Sequence, residues 1–348
     1  MAERQRTIPD WDRLGFAFQE TDEFYCCNGA LGETPPWEPG EFRPFGPVTL
    51  SPAAGFFSYG LGIFEGLKAR RTPDGRILLF RHRDNARRFQ RSAARLLLAP
   101  FPERMFVDAV EEVVRRNSRW IPPHDKGSFY LRPLEHAIDP KLGIRAGSRF
   151  WVLVFGCPVA SYFTEGAEAS PQAGVRLKVL EQGRCAPGGT GAAKAMGNYA
   201  GGIALAQRWQ QEGFDDVLYL DARHVTNLTE TSGSNVFVKL ASGTLVTPPL
   251  DDQILAGITR DSAIRIAREL LGVPVEERDI SVAEALEDGE EFFCTGTAWT
   301  VRPVREIDFR GQPRRFMTHD LQRAILEELQ GVQSGTREDA FGWTTEVA

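Results

Sequence analysis

The sequence predicts a two-domain protein of the α/β or α+β class. Two observations carry this. Strand-length apolar runs and segments of helical periodicity are mixed in both halves of the chain. A stretch of small, acidic and polar residues with one proline, 163–174, separates the halves and reads as a linker. The expected division is an N-terminal domain over 1–162 and a C-terminal domain over 175–348. At 348 residues and 42% hydrophobic content, the chain is long enough for two cores.

The elements follow in order. The first fifty residues, rich in Pro, Gly and aromatics, read as irregular structure with room for short strands. IFEGLKARR and RILLF flank the turn signal TPDG and form a hairpin. Asp84 is placed to cap a helix from Asn85 to Leu98, and a second helix runs from Glu103 to Trp120 with Phe106, Ala109, Val110, Val113 and Val114 on one face. GSFYLRP and RFWVLVFGC are strands; the second is a near-continuous apolar run and should be central. In the second half, VRLKVLE is a strand and NYAGGIALAQRWQQEG a helix stopped at Gly213. DDVLYLD, NVFVKL and TLVTP are strands, and a helix follows over Gly257 to Leu271 with Thr259 as its N-cap. EEFFCTGTAWTVRPV reads as strand, tight turn, strand, and MTHDLQRAILEELQ as a closing helix.

Composition narrows the function. The formal net charge of -6 argues against a nucleic-acid partner. The apolar runs are too short to span a bilayer. The five cysteines lack regular spacing and read as reduced thiols in a cytoplasmic protein. With the histidines scattered, no metal site is expected.

Candidate chemistry centres on RCAPGGTGAAKAMGNYAGG, Arg184 to Gly202. Lys194 sits among residues with little or no side chain, so another group can approach the backbone closely. A lysine desolvated there has its pKa lowered, as a Schiff-base lysine requires. Tyr199 follows five residues later. Glu230 lies in a turn-rich stretch leading into an apolar strand. AGITR opens a helix, and Gly296 to Ala298 forms a tight turn; both offer backbone N–H groups to an anion. The basic run from Arg81 to Arg91 adds positive charge. Tyr130 and Arg132, two apart on a strand, share a face and could clamp a carboxylate. Together these are the parts of a pyridoxal 5′-phosphate site: a lysine, a carboxylate for the ring nitrogen, an arginine and N–H groups for the phosphate, and a tyrosine for the ring hydroxyl. GGTGAAKA does not fit the phosphate loop GxxxxGK[ST], because Ala193 precedes and Ala195 follows the lysine.

The blocks GIFEGLKA, LFRHRDNARRFQRSA, FYLRP, CPVASYF, AAKAMGNYAGG, ETSGSNVF, TPPLDDQILAGITRD and GTAWTVRPV, collinear from about Leu50 onward, resemble the fold-type IV (class IV) pyridoxal phosphate aminotransferases, and most closely the branched-chain amino acid aminotransferases. The resemblance implies a smaller N-terminal and a larger C-terminal domain with the cofactor between them. It implies ping-pong transamination of leucine, isoleucine or valine with 2-oxoglutarate, through pyridoxamine phosphate, in a homodimer. It assigns Lys194 to the Schiff base, Tyr199 to the ring oxygen and Glu230 to the pyridine nitrogen. Among the crowded arginines it selects Arg88 for the phosphate, together with Ile258, Thr259 and Thr297. Thr297 and Ala298 match the turn that receives the substrate carboxylate, and Tyr59, Phe64, Tyr130, Arg132 and Tyr162 match the pocket lining.

Ser58 replaces a common histidine. Glu135 and His136 stand where apolar or small residues are usual, and Trp299 follows Ala298 in place of a CxxC. These departures leave open a related fold-type IV aminotransferase with an altered substrate: a specialised biosynthetic, D-amino acid or amine-donor enzyme. A nucleotide-binding module using the Gly-rich loop is the alternative from another class.

Overall fold

The structure is a computed structural model and describes residues 6–160 and 174–347. The expected linker, nearly all of 163–174, and Tyr162 lie outside the described residues. By contact the chain forms two units. The first holds 1–165, 193–197 and 331–348; the second holds 166–192 and 198–330. The segment bearing Lys194 therefore packs with the first unit, although the linear reading puts it after the linker. Local pairing is the reason: Ala195 bridges to Ile63, and the Met196 N–H donates to the Gly62 carbonyl at 3.0 Å.

The first unit contains β1 (Glu23–Ala30), β2 (Glu41–Pro44), β3 (Gly62–Phe64), β4 (Leu67–Arg71), β5 (Ile77–Phe80), β6 (Gly127–Ala137) and β7 (Arg149–Ala160). With the C-terminal strand Thr344–Glu346 they form one sheet, eight-stranded among the described residues. Its order is C-terminal strand, β5, β4, β6, β7, β1, β2, and β3 also pairs with β6. The apolar run of β7 lies between β6 and β1, as its composition predicts. Leu67, Ala69, Phe129, Leu131 and Val152 on one face of the sheet share a core with Ala86, Phe89, Ala93, Phe106, Val110 and Val113. Those six come from the helices His82–Arg95 and Glu103–Arg116. The first helix starts three residues earlier than expected, with Arg81 rather than Asp84 as its N-cap. Arg81 can take that place because its N–H donates to the Trp343 carbonyl, its Nε bonds Asp84, and its guanidinium lies over the Trp343 ring.

The second unit contains β8 (Val175–Leu180), β9 (Asp216–Leu220), β10 (Leu228–Thr231), β11 (Asn235–Leu240), β12 (Leu245–Thr247), β13 (Val275–Glu277), β14 (Gly289–Gly296), β15 (Thr300–Phe309) and β16 (Gln312–Arg315). The path runs β10-β9-β8-β15-β14-β11-β12-β13, and β10 pairs again with β11. The six strands from β10 to β11 thus close on themselves, leaving no free edge between them. The closing pair is Glu230 opposite Asn235. Val175, Leu177, Leu218, Val236, Val238, Phe292, Val304 and Ile307 belong to this unit's core. The predicted helix over Gly257 to Leu271 is α-helical from Ile258 to Arg265 and continues as a π-helix to Leu270. Its N-cap is Gly257, not Thr259, and no side chain caps it.

Candidate active site

In the first unit the lysine is clamped through its backbone. The Lys194 N–H donates to Ser92 Oγ at 3.0 Å, and its carbonyl accepts from the Phe64 N–H at 3.1 Å. Its Nζ lies 4.6 Å from the centre of the Phe64 ring. Burial, and then the nearby charge of Arg88, push the amine down to about 8, against the opposing pull of Glu65.

Arg88 comes from the helix His82–Arg95 and is buried. Its Nε and Nη2 each lie 2.7 Å from an oxygen of Glu65, a two-point fork that fixes the guanidinium plane. Glu65 occupies the break between β3 and β4 and also accepts from Asn85 Nδ2 at 2.7 Å and from the Gly66 N–H at 3.2 Å. Burial would raise the Glu65 carboxyl, but the charge and hydrogen bonds of Arg88 hold it below the usual carboxylate range. Sequence reasoning missed Glu65; the only signal was a lone acid in the apolar run IFEGL.

Phe64, Tyr130 and Arg132 come together beside Lys194. The Arg132 guanidinium lies 4.8 Å from the Phe64 ring and 5.4 Å from the Tyr130 ring. Gly66 makes room for this: a Cβ there would lie 2.1 Å from the Tyr130 hydroxyl. Tyr59 donates its hydroxyl to the Leu142 carbonyl. The departures fall elsewhere. Ser58 is exposed. Glu135 is fully buried opposite Ile63 and Val152, on the core side rather than at a rim. The His136 ring packs 4.9 Å from Phe56.

In the second unit, Glu230 is buried and bonded through Oε1 to Arg184 Nη2, while the Leu255 N–H points to Oε2 at 3.4 Å. The same Arg184 nitrogen donates to the Gly191 carbonyl at 3.1 Å and the Gln253 carbonyl at 3.4 Å. Tyr199, in the short helix Gly197–Ala200, lies near Arg184. Asn235, which closes the barrel opposite Glu230, donates to the Leu255 carbonyl at 3.0 Å. A Cβ at Gly257 would lie 2.0 Å from Asn235 Oδ1, so this glycine lets the loop settle against Asn235 before the helix begins. The helix start at Ile258 and Thr259 has no side-chain cap, and its N-terminal end suits an anion such as a phosphate. Thr297 and Ala298 lie in the turn from β14 to β15, beside Gly296, whose Cα side faces Ser234 Oγ. Trp299 turns toward a cavity lined by Asp216, Thr231, Ser234 and Cys294, with its ring 4.2 Å from the Arg302 guanidinium. Arg184 and Asn235 were missed from sequence because each acts through a partner distant in the chain.

Each unit, taken by itself, holds groups that a pyridoxal phosphate can use: a lysine of lowered pKa and an oriented arginine in the first, and a braced carboxylate and a helix start without a side-chain cap in the second. These are the parts of a class of aminotransferases. Residues 62–307 match the amino-transferase class IV family, and the chain belongs to it. The chain is 42% identical over 344 residues to branched-chain amino acid aminotransferase 2, chloroplastic, of Humulus lupulus, covering 97% of this chain and 82% of that protein. Its fold matches the branched-chain amino acid aminotransferase of Escherichia coli with a TM-score of 0.78 at 28% identity, covering 94% of this chain and 100% of the other. The fold also matches that of the branched-chain amino acid aminotransferase from Thermobaculum terrenum in its PLP-form (holo-form), with a TM-score of 0.77 at 24% identity, covering 95% and 100%.

Proposed function

We propose that the chain is a pyridoxal 5′-phosphate-dependent aminotransferase that transfers the amino group of leucine, isoleucine or valine to 2-oxoglutarate in two half-reactions. The observation that carries this is Lys194: a backbone-clamped amine lowered to about 8, beside Phe64 and Arg88. Pyridoxal phosphate, when bound, supplies an electron sink conjugated to the substrate Cα. Lys194 Nζ would hold the cofactor carbonyl carbon; once the incoming amino group displaces it, the freed amine would take the proton from the substrate Cα as general base and give it back as general acid. Arg88, kept in plane by Glu65, holds the phosphate, with the N–H groups of Ile258 and Thr259 and the side of Thr297. Glu230 keeps a proton on the ring nitrogen, and Tyr199 bonds the ring oxygen. The Thr297 and Ala298 N–H groups take the substrate carboxylate. Tyr59, Phe64, Tyr130 and Arg132 form the pocket wall.

We also infer a homodimer and a cytoplasmic location. The first rests on the family resemblance and is checked by sedimentation. The second rests on five cysteines that are free thiols in the structure. Among the described residues, no helix is long and apolar enough to cross a membrane.

The test is spectroscopic. The purified protein should be yellow, and its visible band should change on adding L-leucine but not D-leucine or a simple amine. Lys194→Ala should lose turnover by at least about 10²–10⁴-fold. Wild-type turnover in that variant would remove the central assignment.

A further inference from the structure

The short helix Gly55–Tyr59 ends on Tyr59 and is tied at both ends to the loop 139–147. At its start, the Gly55 N–H donates to the Asp139 carbonyl at 3.2 Å. Just before it, Ala54 bridges to Pro140, and the Lys141 N–H donates to the Ala53 carbonyl at 2.9 Å. At its end, the Tyr59 hydroxyl donates to the Leu142 carbonyl. Residues 142–146 are all exposed, with Leu142 and Ile144 at 90% and 92%, so the loop has no apolar packing of its own to hold its shape.

A buried ion pair holds it instead. Lys141 Nζ lies 3.0 Å from Asp139 Oδ2, and the lysine side chain is fully buried. The same ammonium donates to the Ala146 carbonyl at 3.0 Å and the Arg145 carbonyl at 3.4 Å, which engages its N–H donors. Asp139 Oδ1 accepts from the Ser148 N–H at 3.1 Å and the Arg149 N–H at 3.4 Å, tying the exit of the loop to its entry. Burial would raise the Asp139 carboxyl, but Lys141 and these two N–H groups hold it below the usual carboxylate range. The helix packs directly on the lysine stem: a Cβ at Gly55 would lie 2.8 Å from Lys141 Cε. A buried ion pair adds little stability over apolar packing of the same volume. What this one contributes is a geometry, in which the Leu142 carbonyl meets the Tyr59 hydroxyl.

We propose that Lys141, paired with Asp139, is a positioning residue for the choice of amino donor: it keeps the Leu142 carbonyl on the Tyr59 hydroxyl, so that Tyr59 offers the donor side chain its ring and not its hydroxyl. The proposal rests on the aminotransferase reading, in which Tyr59 belongs to the pocket wall, and deepens it. A tyrosine whose hydroxyl is already bonded presents an apolar surface, which suits a branched aliphatic side chain. Released from Leu142, the ring loses its anchor and the hydroxyl must find another partner beside that side chain. A donor whose side chain is too short to reach the wall is indifferent to the change. Lys141 touches neither substrate nor reacting atoms, so its effect falls on donor binding rather than on the chemical step.

The experiment follows the visible band of the holoenzyme on mixing with L-leucine or L-alanine, which gives a KM and a limiting rate for the donor half-reaction alone. Lys141→Met should raise the KM for L-leucine about ten-fold, the scale on which an apolar pocket tells side chains apart. The limiting rate should stay within about two-fold, and the KM for L-alanine should stay in place. Gly55→Ala removes no charge but presses on the lysine stem; it should shift the L-leucine KM the same way by less, and it serves if Lys141→Met fails to fold. In a Tyr59→Phe background neither substitution should move the L-leucine KM by more than about two-fold, because no hydroxyl is left to hold. Lys126→Met is the control: that exposed lysine pairs with Asp12 and should affect neither donor. An equal loss for both donors would show a merely structural role. No loss, or a loss that persists in full with Tyr59→Phe, would show that Lys141 does not act through Tyr59. Each of these overturns the proposal. A wild-type holoenzyme whose visible band ignores L-leucine would instead overturn the aminotransferase reading.

Discussion

Among the described residues each unit buries a guanidinium–carboxylate pair, and the two pairs divide their labour in opposite ways. In the first, Arg88 is the proposed ligand and Glu65 holds it; the side chains are 6% and 0% exposed. In the second, Glu230 is the proposed ligand and Arg184 holds it, at 6% and 7% exposed. The first pair is closed: the fork is complete, and Asn85 and the Gly66 N–H take further lone pairs of Glu65. The second is looser. Arg184 spreads one nitrogen over Glu230 and two carbonyls, and its Nε has no partner among the described residues. A buried pair adds little stability over an apolar one, but breaking it is costly. What remains after breaking therefore separates the two. An arginine cannot shed its proton at any working pH, whereas a stranded carboxylate can neutralise itself by taking one up.

The largest expected effect is that of Glu65→Gln, which strands a buried cation. It should cost about 3–5 kcal/mol of unfolding free energy and weaken cofactor retention on dialysis. The pH dependence has a definite sign. Because the native Glu65 pKa is depressed, the stability it contributes is fully present above the ordinary carboxylate range. It is lost as pH falls through the lowered native value. Urea titrations at neutral and acid pH should show the gap between wild type and variant closing on acidification. A variant that unfolds at the wild-type urea midpoint and keeps its cofactor would break the comparison.

Arg184→Gln comes next and should act on rate more than on stability. Losing one charge-assisted bond, about 1.5–3 kcal/mol, corresponds to a rate loss of roughly ten- to a hundred-fold. The Glu230 carboxylate, stripped of its cation, would take up a proton more readily. Raising the pH should ionise it again and recover part of the rate. A pH–rate profile parallel to that of the wild type would show that Arg184 does not set the charge state of Glu230.

The proposed ligands are legible in the sequence and the residues that hold them are not. Lys194 was marked by its small neighbours and Glu230 by its place before an apolar strand, whereas Arg88 needed the family pattern to separate it from Arg83 and Arg87. Glu65 and Arg88 are 23 positions apart, and Arg184 and Glu230 are 46 apart. Local periodicity carries no information about such pairs. Barrel closure at Glu230 and Asn235 depends on register across several strands, which no single strand encodes. The C-terminal strand Thr344–Glu346 is short and polar, and it is a strand because β5 offers it an edge. Helix starts were misplaced for a similar reason. Arg81 caps its helix with help from Trp343, and Gly257 displaces Thr259 because the preceding loop packs on Asn235.

The smallest expected effect concerns a carboxyl with no pair at all. Glu135 is fully buried, and neither of its oxygens has a hydrogen-bond partner among the described residues. Burial raises its pKa well above the usual value, so it keeps its proton in the folded chain and loses it on unfolding. Its contribution to stability is present below the ordinary carboxylate pKa and is lost as pH rises toward the native value. His136, next to it, has the opposite sign. Burial lowers its ring to about 4, so its contribution is present above the ordinary histidine pKa near 6.5 and is lost as pH falls through about 4. Glu135→Leu should therefore raise stability at pH 8 by about 1–3 kcal/mol, the desolvation cost of an unsatisfied polar group. It should also flatten the loss between pH 5 and 8, while leaving the acid-side loss from His136 intact. The measurement is the urea midpoint against pH for wild type and variant. If the variant were less stable at pH 8, the carboxyl would have to be making a bond that stabilises the fold, and Glu135 would join Glu65 as a holder of charge.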